Sequence, residues 1–319
     1  MHNTVADMSY EILINPAEEI PCAFSSYLFN EPYHVTQQPC TKVFTFYLFH
    51  TKKKQADARF NLFVHENTGI SPCLGTFGSV EMNENLPQSE LDIFIDSINT
   101  FAFQHKLQAI SIKAYPFCYA EEISARITAA FTHNSYQISQ TELNYHLPVT
   151  EEPFTKELHL SARRRLKKCH QQGFVFSEEL QPNLPEIYWM IQATRERRGF
   201  PVTLDYESFE QLFVRFPEVY RIFTVKDKYK TIALTITVQI NSSILYYFLP
   251  ADDPDYRSSS PMIMLIEGVY TYCQQQQFRI FDLGIATYKG VPNYGLIRFK
   301  QNLGSKSSLK FTFTRNFAS

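Results

Sequence analysis

Five cations, Arg163, Arg164, Arg165, Lys167 and Lys168, crowd one basic amphipathic stretch whose periodicity predicts a helix over residues 155–172. At helical spacing Arg164 and Lys168 share a face, as do Arg163 and Lys167. Such a cluster can grip a pyrophosphate or an RNA backbone; the plainer reading is a wet outer face. Ser258, Ser259 and Ser260 precede Pro261, which suits a first helical turn. Phosphate on the helix's N-terminal N–H groups and a simple cap by Ser260 are both compatible with that order. Arg195, Arg197 and Arg198 end another predicted helix, where they complement its dipole.

Other chemistries find little footing. Only ten glycines are present, and neither G-x-G-x-x-G nor G-x-x-x-x-G-K-[ST] occurs, which argues against dinucleotide and P-loop chemistry. The six cysteines include no C-x-x-C pair and the nine histidines no H-E-x-x-H, so no metal site is expected. Cys169 and Cys273 lack the neighbours that covalent catalysis requires. The cysteines read as reduced thiols, mostly buried.

Those residues need elements to hold them. The 319 residues are 44% hydrophobic and 19% charged, a globular composition rather than a disordered one. No apolar run is long enough to span a bilayer and no leader is evident, so a cytoplasmic location is expected. The net charge of -2 conceals about -7 over residues 1–150 and +5 over 151–319, which draws an anionic ligand to the second half. A proline-rich, charged break at residues 148–156 marks the expected boundary between domains 1–150 and 151–319. Either side repeats one order. Strands at 43–50 and 59–65, a Ser71-Pro72 loop, a helix at 88–105 and a strand at 109–114 are matched by strands at 220–226, 231–239 and 243–249, a loop ending in Ser260-Pro261, a helix at 261–276 and a strand at 279–283. The pattern reads as a tandem duplication of helix-flanked, mainly antiparallel sheets.

Phe281-Asp282-Leu283-Gly284-Ile285 followed by Tyr294-Gly295-Leu296-Ile297-Arg298-Phe299-Lys300-Gln301-Asn302-Leu303-Gly304 resembles the closing segment of the FemABX-like N-acyltransferases of the GNAT superfamily. The stretch from Leu160 to Lys168 with Gly173 is similar to that family's R-x-x-I-K-K-A-x-x-x-G helix, and Ser71 to Gly78 to the segment before the first half's helix. The [QR]-x-x-G-x-[GA] phosphate loop of ordinary acetyl-CoA enzymes is missing; Tyr256 to Ser260 stands there instead. No long heptad insertion occurs, which makes aminoacyl-tRNA the less favoured donor.

The resemblance implies an α/β (α+β) protein of two tandem GNAT-like domains, each a mainly antiparallel mixed sheet flanked by helices. It also implies transfer of an acyl or aminoacyl group from acyl-CoA or aminoacyl-tRNA to an amine, by direct attack in a ternary complex. The acceptor would be a peptide, an amino sugar or a cell-wall precursor. Lys300 takes the position of the family's active-site lysine, where a cation would stabilise the tetrahedral oxyanion. Replacing it should then stop turnover and leave the melting temperature almost unchanged. Asp282, expected at a strand end, would orient the amine or accept its proton, or else cap the following turn. Tyr288 and Tyr294 would protonate a leaving thiolate or bind the acyl carbonyl. Arg163, Arg164, Lys167, Lys168 and the three serines would hold the donor's phosphates. The competing reading is a degenerate GNAT-like module that binds a peptide, glycan or RNA without turnover.

Overall fold

The computed structural model describes residues 9–40, 42–199 and 204–317. The chain divides into two units, one running to Glu142 and resuming at Ser308, the other spanning Leu143–Ser307. The division thus falls before the proline-rich break, and the last stretch of chain, expected with the second domain, belongs with the first.

The first unit contains β1 (Tyr10–Ile14), α1 (Pro32–Val35), β2 (Lys42–His50), β3 (Gln55–His65), β4 (Thr68–Ser71), β5 (Glu81–Met82), α2 (Gln88–Gln104), β6 (Ala109–Lys113), α3 (Glu121–His133) and the first half of β7 (Gln137–Pro148). Its sheet runs β1-β2-β3-β4-β6, with β5 on β3. Every pair is antiparallel except β4 with β6, which α2 joins as a crossover. Leu91, Phe94, Ile95, Ile98 and Ala102 recur at helical spacing and form the buried face of α2.

The second unit contains α4 (Leu160–Gln171), β8 (Val175–Glu178), α5 (Leu184–Arg197), α6 (Tyr206–Arg215), β9 (Tyr220–Asp227), β10 (Lys230–Asn241), β11 (Ile244–Asp252), α7 (Pro261–Gln275), β12 (Ile280–Ile285), the short hairpin β13 (Thr287–Tyr288) and β14 (Val291–Pro292), and α8 (Tyr294–Asn302). Strand β15 (Lys306–Asn316) closes the chain. Its residues 312–316 pair with β6, while residues 144–148 of β7 pair with β12. This register explains the division: strand hydrogen bonds, not the order of residues, decide which unit owns the last strand. Among the strands of the second unit β11 and β12 are parallel and the other pairs antiparallel. The expected strands and crossover helix are found here; α6 and the hairpin were not foreseen. The basic helix is shorter than expected, beginning at Leu160 after a separate turn at Phe154–Lys156. Its Ala162, Leu166 and Cys169 join α7 and β12 in a core that includes Ile266, Val269, Phe281 and Leu283.

No helix of the described residues is long and apolar enough to cross a membrane.

Candidate active site

Strands β11 and β12 pair only from Ile244↔Ile280 to Tyr246↔Asp282 and then part. The cause lies in β12. Opposite β7, Asp282 faces His146 and Gly284 faces Tyr145, leaving Leu283 as an extra residue in a bulge. The buried Asp282 carboxylate locks that bulge, accepting Asn144 Nδ2 and Gly284 N, both at 2.8 Å. Gly284 has φ +75°, and a Cβ there would stand 3.2 Å from the Tyr246 ring, so the position suits glycine on both counts. Asp282 therefore shapes the opening from beneath and does not line it. It sits within the strand rather than at its end, and its Oδ1 accepts one side-chain amide and one backbone N–H.

Where the strands part, a cavity of about 1060 Å³ opens within the second unit. Asn293 caps α8, its Oδ1 accepting Leu296 N at 3.0 Å, and the helix carries Lys300 back to the splayed strand. Lys300 lines the cavity but is only 4% exposed. Its Nζ donates to Gly284 O at 2.8 Å and Ile285 O at 2.9 Å, and lies 5.8 Å from the centre of the Tyr145 ring. Burial pushes its pKa down to about 7, against the pull of the Asp282 carboxylate. Its removal would take the donor from the buried Gly284 carbonyl and the partly buried Ile285 carbonyl, so a lower melting temperature is now expected as well.

The other expected residues divide. Tyr288 lines the cavity and is 49% exposed, at its mouth. Tyr294 starts α8 at 78% exposed and is not part of the lining. Of the basic run, Arg163, Arg164, Lys167 and Lys168 also lie off the cavity. Arg163 instead donates to Thr155 O at 2.9 Å, and Lys168 Nζ reaches Ser258 O at 3.5 Å. The member that does line it is Arg165, which the sequence reading counted in the basic cluster but left out of the set expected to hold the donor's phosphates. Of the serines, Ser258 and Ser259 lie outside the lining. The Ser259 carbonyl accepts the Cys169 thiol at 3.1 Å. Ser260 lines the cavity and occupies the cap position of α7, but with φ +58° its Oγ turns to Arg257 O at 3.3 Å and does not cap.

What the sequence left unmarked is an arginine cluster. Arg195, Arg198 and Arg257 line the cavity together with Arg165. Buried Asp252, at the end of β11, anchors part of it: Oδ1 accepts Arg198 at 2.5 Å and Arg197 at 3.3 Å, and Oδ2 accepts Arg257 at 2.9 Å. Arginines on two helices and a loop meet only through folding, so each was visible in the sequence, in the basic run, at a helix end or in the loop before Pro261, while their meeting was not. Among the described residues no group of three or more His, Cys, Asp and Glu side chains is arranged to hold a metal ion.

Residues 159–300 match the family model described as an acetyltransferase (GNAT) domain. Among solved structures, the chain resembles FemX, at 13% identity and a TM-score of 0.68 over 92% of this chain and 93% of that one. It also resembles the C-terminal domain of a putative lysylphosphatidylglycerol synthetase from Agrobacterium fabrum, at 12% identity and a TM-score of 0.56, covering 86% of this chain and 84% of that one. The structure of L-PGS from Bacillus licheniformis gives the same identity and TM-score over 86% of this chain and 85% of that one. At these identities the likeness concerns the fold. No curated protein matches in sequence.

Proposed function

We propose that this chain, whose residues 159–300 match the family model described as an acetyltransferase (GNAT) domain, is a FemABX-like N-acyltransferase that moves an acyl group from a coenzyme A thioester to an amine. The observation that carries the reading is the buried lysine at the point where two parallel strands part. An ammonium has three N–H groups. Two of those on Lys300 go to Gly284 O and Ile285 O, and the third is left for a ligand. Aimed at a thioester carbonyl, it would stabilise the oxyanion more than the ground-state carbonyl, in a desolvated setting that strengthens the interaction.

The donor's other end fits the arginines. From Tyr246 to Asp252 the strand advances about 20 Å at ~3.3 Å per residue. This separates the lysine end of the cavity from Arg257 and suits a donor with a long arm between thioester and phosphates. Arg165 and Arg257 take the place of the missing glycine cradle. Beyond Tyr246 one edge of β11 no longer pairs with β12, so its backbone groups can meet an extended arm. The acceptor nitrogen attacks the carbonyl carbon and the C–N bond forms. The tetrahedral intermediate then expels the thiolate as the C–S bond breaks. Tyr288, which lines the cavity, would protonate the sulfur, and the amine's proton would leave to water at the mouth.

The test is release of free thiol from acyl-CoAs in the presence of an amine panel. Wild type should turn over, and Lys300→Met should lose about 10²–10³ in kcat, the usual consequence of removing one oxyanion donor. Silence across all thioesters combined with salt-sensitive tRNA binding would move the donor to aminoacyl-tRNA. Silence with neither donor would leave the binding-module reading.

A further inference from the structure

Strand β11 carries a bulge of its own. Against β10, Tyr247 faces Thr237 and Leu249 faces Ile236, leaving Phe248 as the extra residue. A bulge re-aims the side chains beside it. The consecutive residues Tyr246 to Pro250 all line the cavity, where plain alternation would present every second one. Tyr247 serves two neighbourhoods at once. Its ring belongs to the core, edge-on to Phe281 at 6.0 Å, and the residue also borders the cavity.

Three hydroxyls of the lining are tied to backbone carbonyls: Tyr188 to Leu204 O at 2.9 Å, Thr194 to Asp252 O at 3.3 Å and Ser260 to Arg257 O at 3.3 Å. The Tyr247 hydroxyl, on a residue only 8% exposed, has no hydrogen-bond partner among the described residues. A buried polar group left unpaired costs stability, and its persistence beside a cavity points to a ligand. Thr287 Oγ1 shares that state but lies two residues beyond Ile285, at the lysine end. Burial raises the Tyr247 pKa well above that of an ordinary phenol, with Arg198 opposing the shift and Asp252 adding to it. The group therefore keeps its proton and can donate it in a hydrogen bond. Its backbone comes directly after the last β11–β12 pair, Tyr246↔Asp282, while its hydroxyl feels the charges of the arginine end. It stands beside the middle of whatever spans the cavity.

Resting on the acyl-transfer reading, we propose that Tyr247 recognises the donor, its hydroxyl donating to an amide carbonyl in the middle of the thioester's arm. The surroundings favour an amide. Met262, Ile266 and Leu283 give the core side of the cavity an aliphatic wall, which suits a thin alkyl chain broken by an isolated polar group. Sugar hydroxyls or a phosphate at the same place would call for several partners. An amide carbonyl needs one donor, and its N–H is left for the edge of β11 that β12 no longer covers. An arm without an amide leaves the phenol unpaired and is penalised for it. A donor whose acyl ester is joined to its phosphates through a sugar alone, as in an aminoacyl-tRNA, brings no amide to this point. Tyr247 would thereby set specificity among donors.

The experiment is calorimetric titration of coenzyme A, and of adenosine 3′,5′-bisphosphate, which lacks the arm, into wild type and Tyr247→Phe. Coenzyme A should bind the variant about tenfold more weakly, one hydrogen bond to the arm being lost, while the bisphosphate stays within about twofold. Ligand-free Tyr247→Phe should melt at the wild-type temperature or above it, since the substitution removes an unpaired polar group and keeps the ring. Coenzyme A should then raise the melting temperature of wild type by more than that of the variant. Unchanged coenzyme A affinity in Tyr247→Phe, or equal weakening of the bisphosphate, would overturn the proposal. So would a ligand-free variant that melts below wild type, because the hydroxyl would then have a partner within the fold. Coenzyme A that fails to bind wild type would sink the thioester reading and this proposal with it; binding that ignores Tyr247 would sink the proposal alone.

Discussion

The two units use the same device and leave opposite results. Each joins two parallel strands through a crossover helix, β4 to β6 by α2 in one and β11 to β12 by α7 in the other. In the first unit β4 pairs with β6 along its whole length, Thr68 to Ser71. The space beyond is filled by Tyr27, Phe29, Phe77, Tyr115 and Tyr119, whose neighbouring rings stand 4.9–6.4 Å apart. Beneath them Arg59 Nη2 donates to Glu81 Oε2 at 2.7 Å, with both residues at most 4% exposed, and Glu81 Oε1 accepts Tyr27 N at 2.6 Å. In the second unit β11 outruns its pairing by six residues, and the bulge at Leu283 turns the partner strand aside. A crossover filled with rings and a buried ion pair is a piece of core; the same crossover held open by a bulge is a site.

This contrast can be broken from either side. The largest effect is expected in the filled crossover. Glu81→Gln leaves the Arg59 guanidinium buried without its counter-charge, which should cost about 3–5 kcal/mol in denaturant unfolding. Transfer per folded molecule should be retained, since none of these residues lines the cavity. Loss of transfer in a protein that is still folded would give the first unit a part in the chemistry.

A smaller effect concerns the open crossover. Lys300 has a pKa near 7 in the folded chain against 10.5 for an ordinary lysine. Below about pH 7 the ammonium is charged both folded and unfolded, and the folded state bears the full cost of its burial. Between about 7 and 10.5 the unfolded state binds the extra proton, so stability rises with pH in that window. Wild type should therefore gain on Lys300→Met as the pH increases from 7 toward 10.5 in chemical unfolding. A difference that stays flat or shrinks would mean that the folded lysine is not held near neutrality.

The repeated order of elements was legible because the Ser-Pro loops and helix-spaced apolar residues, Leu91 to Ala102 among them, are local signals. The ownership of β15 was not, because its register with β6 joins residues some two hundred positions apart and leaves no mark on either segment. Lys300 could be picked out by resemblance alone; its two carbonyl partners depend on a bulge that needs β7 in place. The basic run illustrates the same limit. Its spacing says which cations share a helical face, but only the packing of Ala162 and Cys169 into the core turns Arg165 toward the cavity and its neighbours away. Arg195 and Arg198 read as dipole partners of α5, a role that required no tertiary contact, whereas their meeting with Asp252 and Tyr246 does.

The central claim is that Lys300 acts as a cation. It is tested most directly by kcat against pH, at saturating donor and with an acceptor amine so weakly basic that it stays neutral throughout, in wild type and Lys300→Arg. The account predicts that wild-type kcat falls as the pH rises through about 7, where the ammonium loses its proton. In Lys300→Arg the rate should be lower but free of that fall, because a guanidinium remains charged. A wild-type rate that climbs through pH 7 to a plateau, together with an inactive Lys300→Arg, would contradict it and make the neutral amine a base.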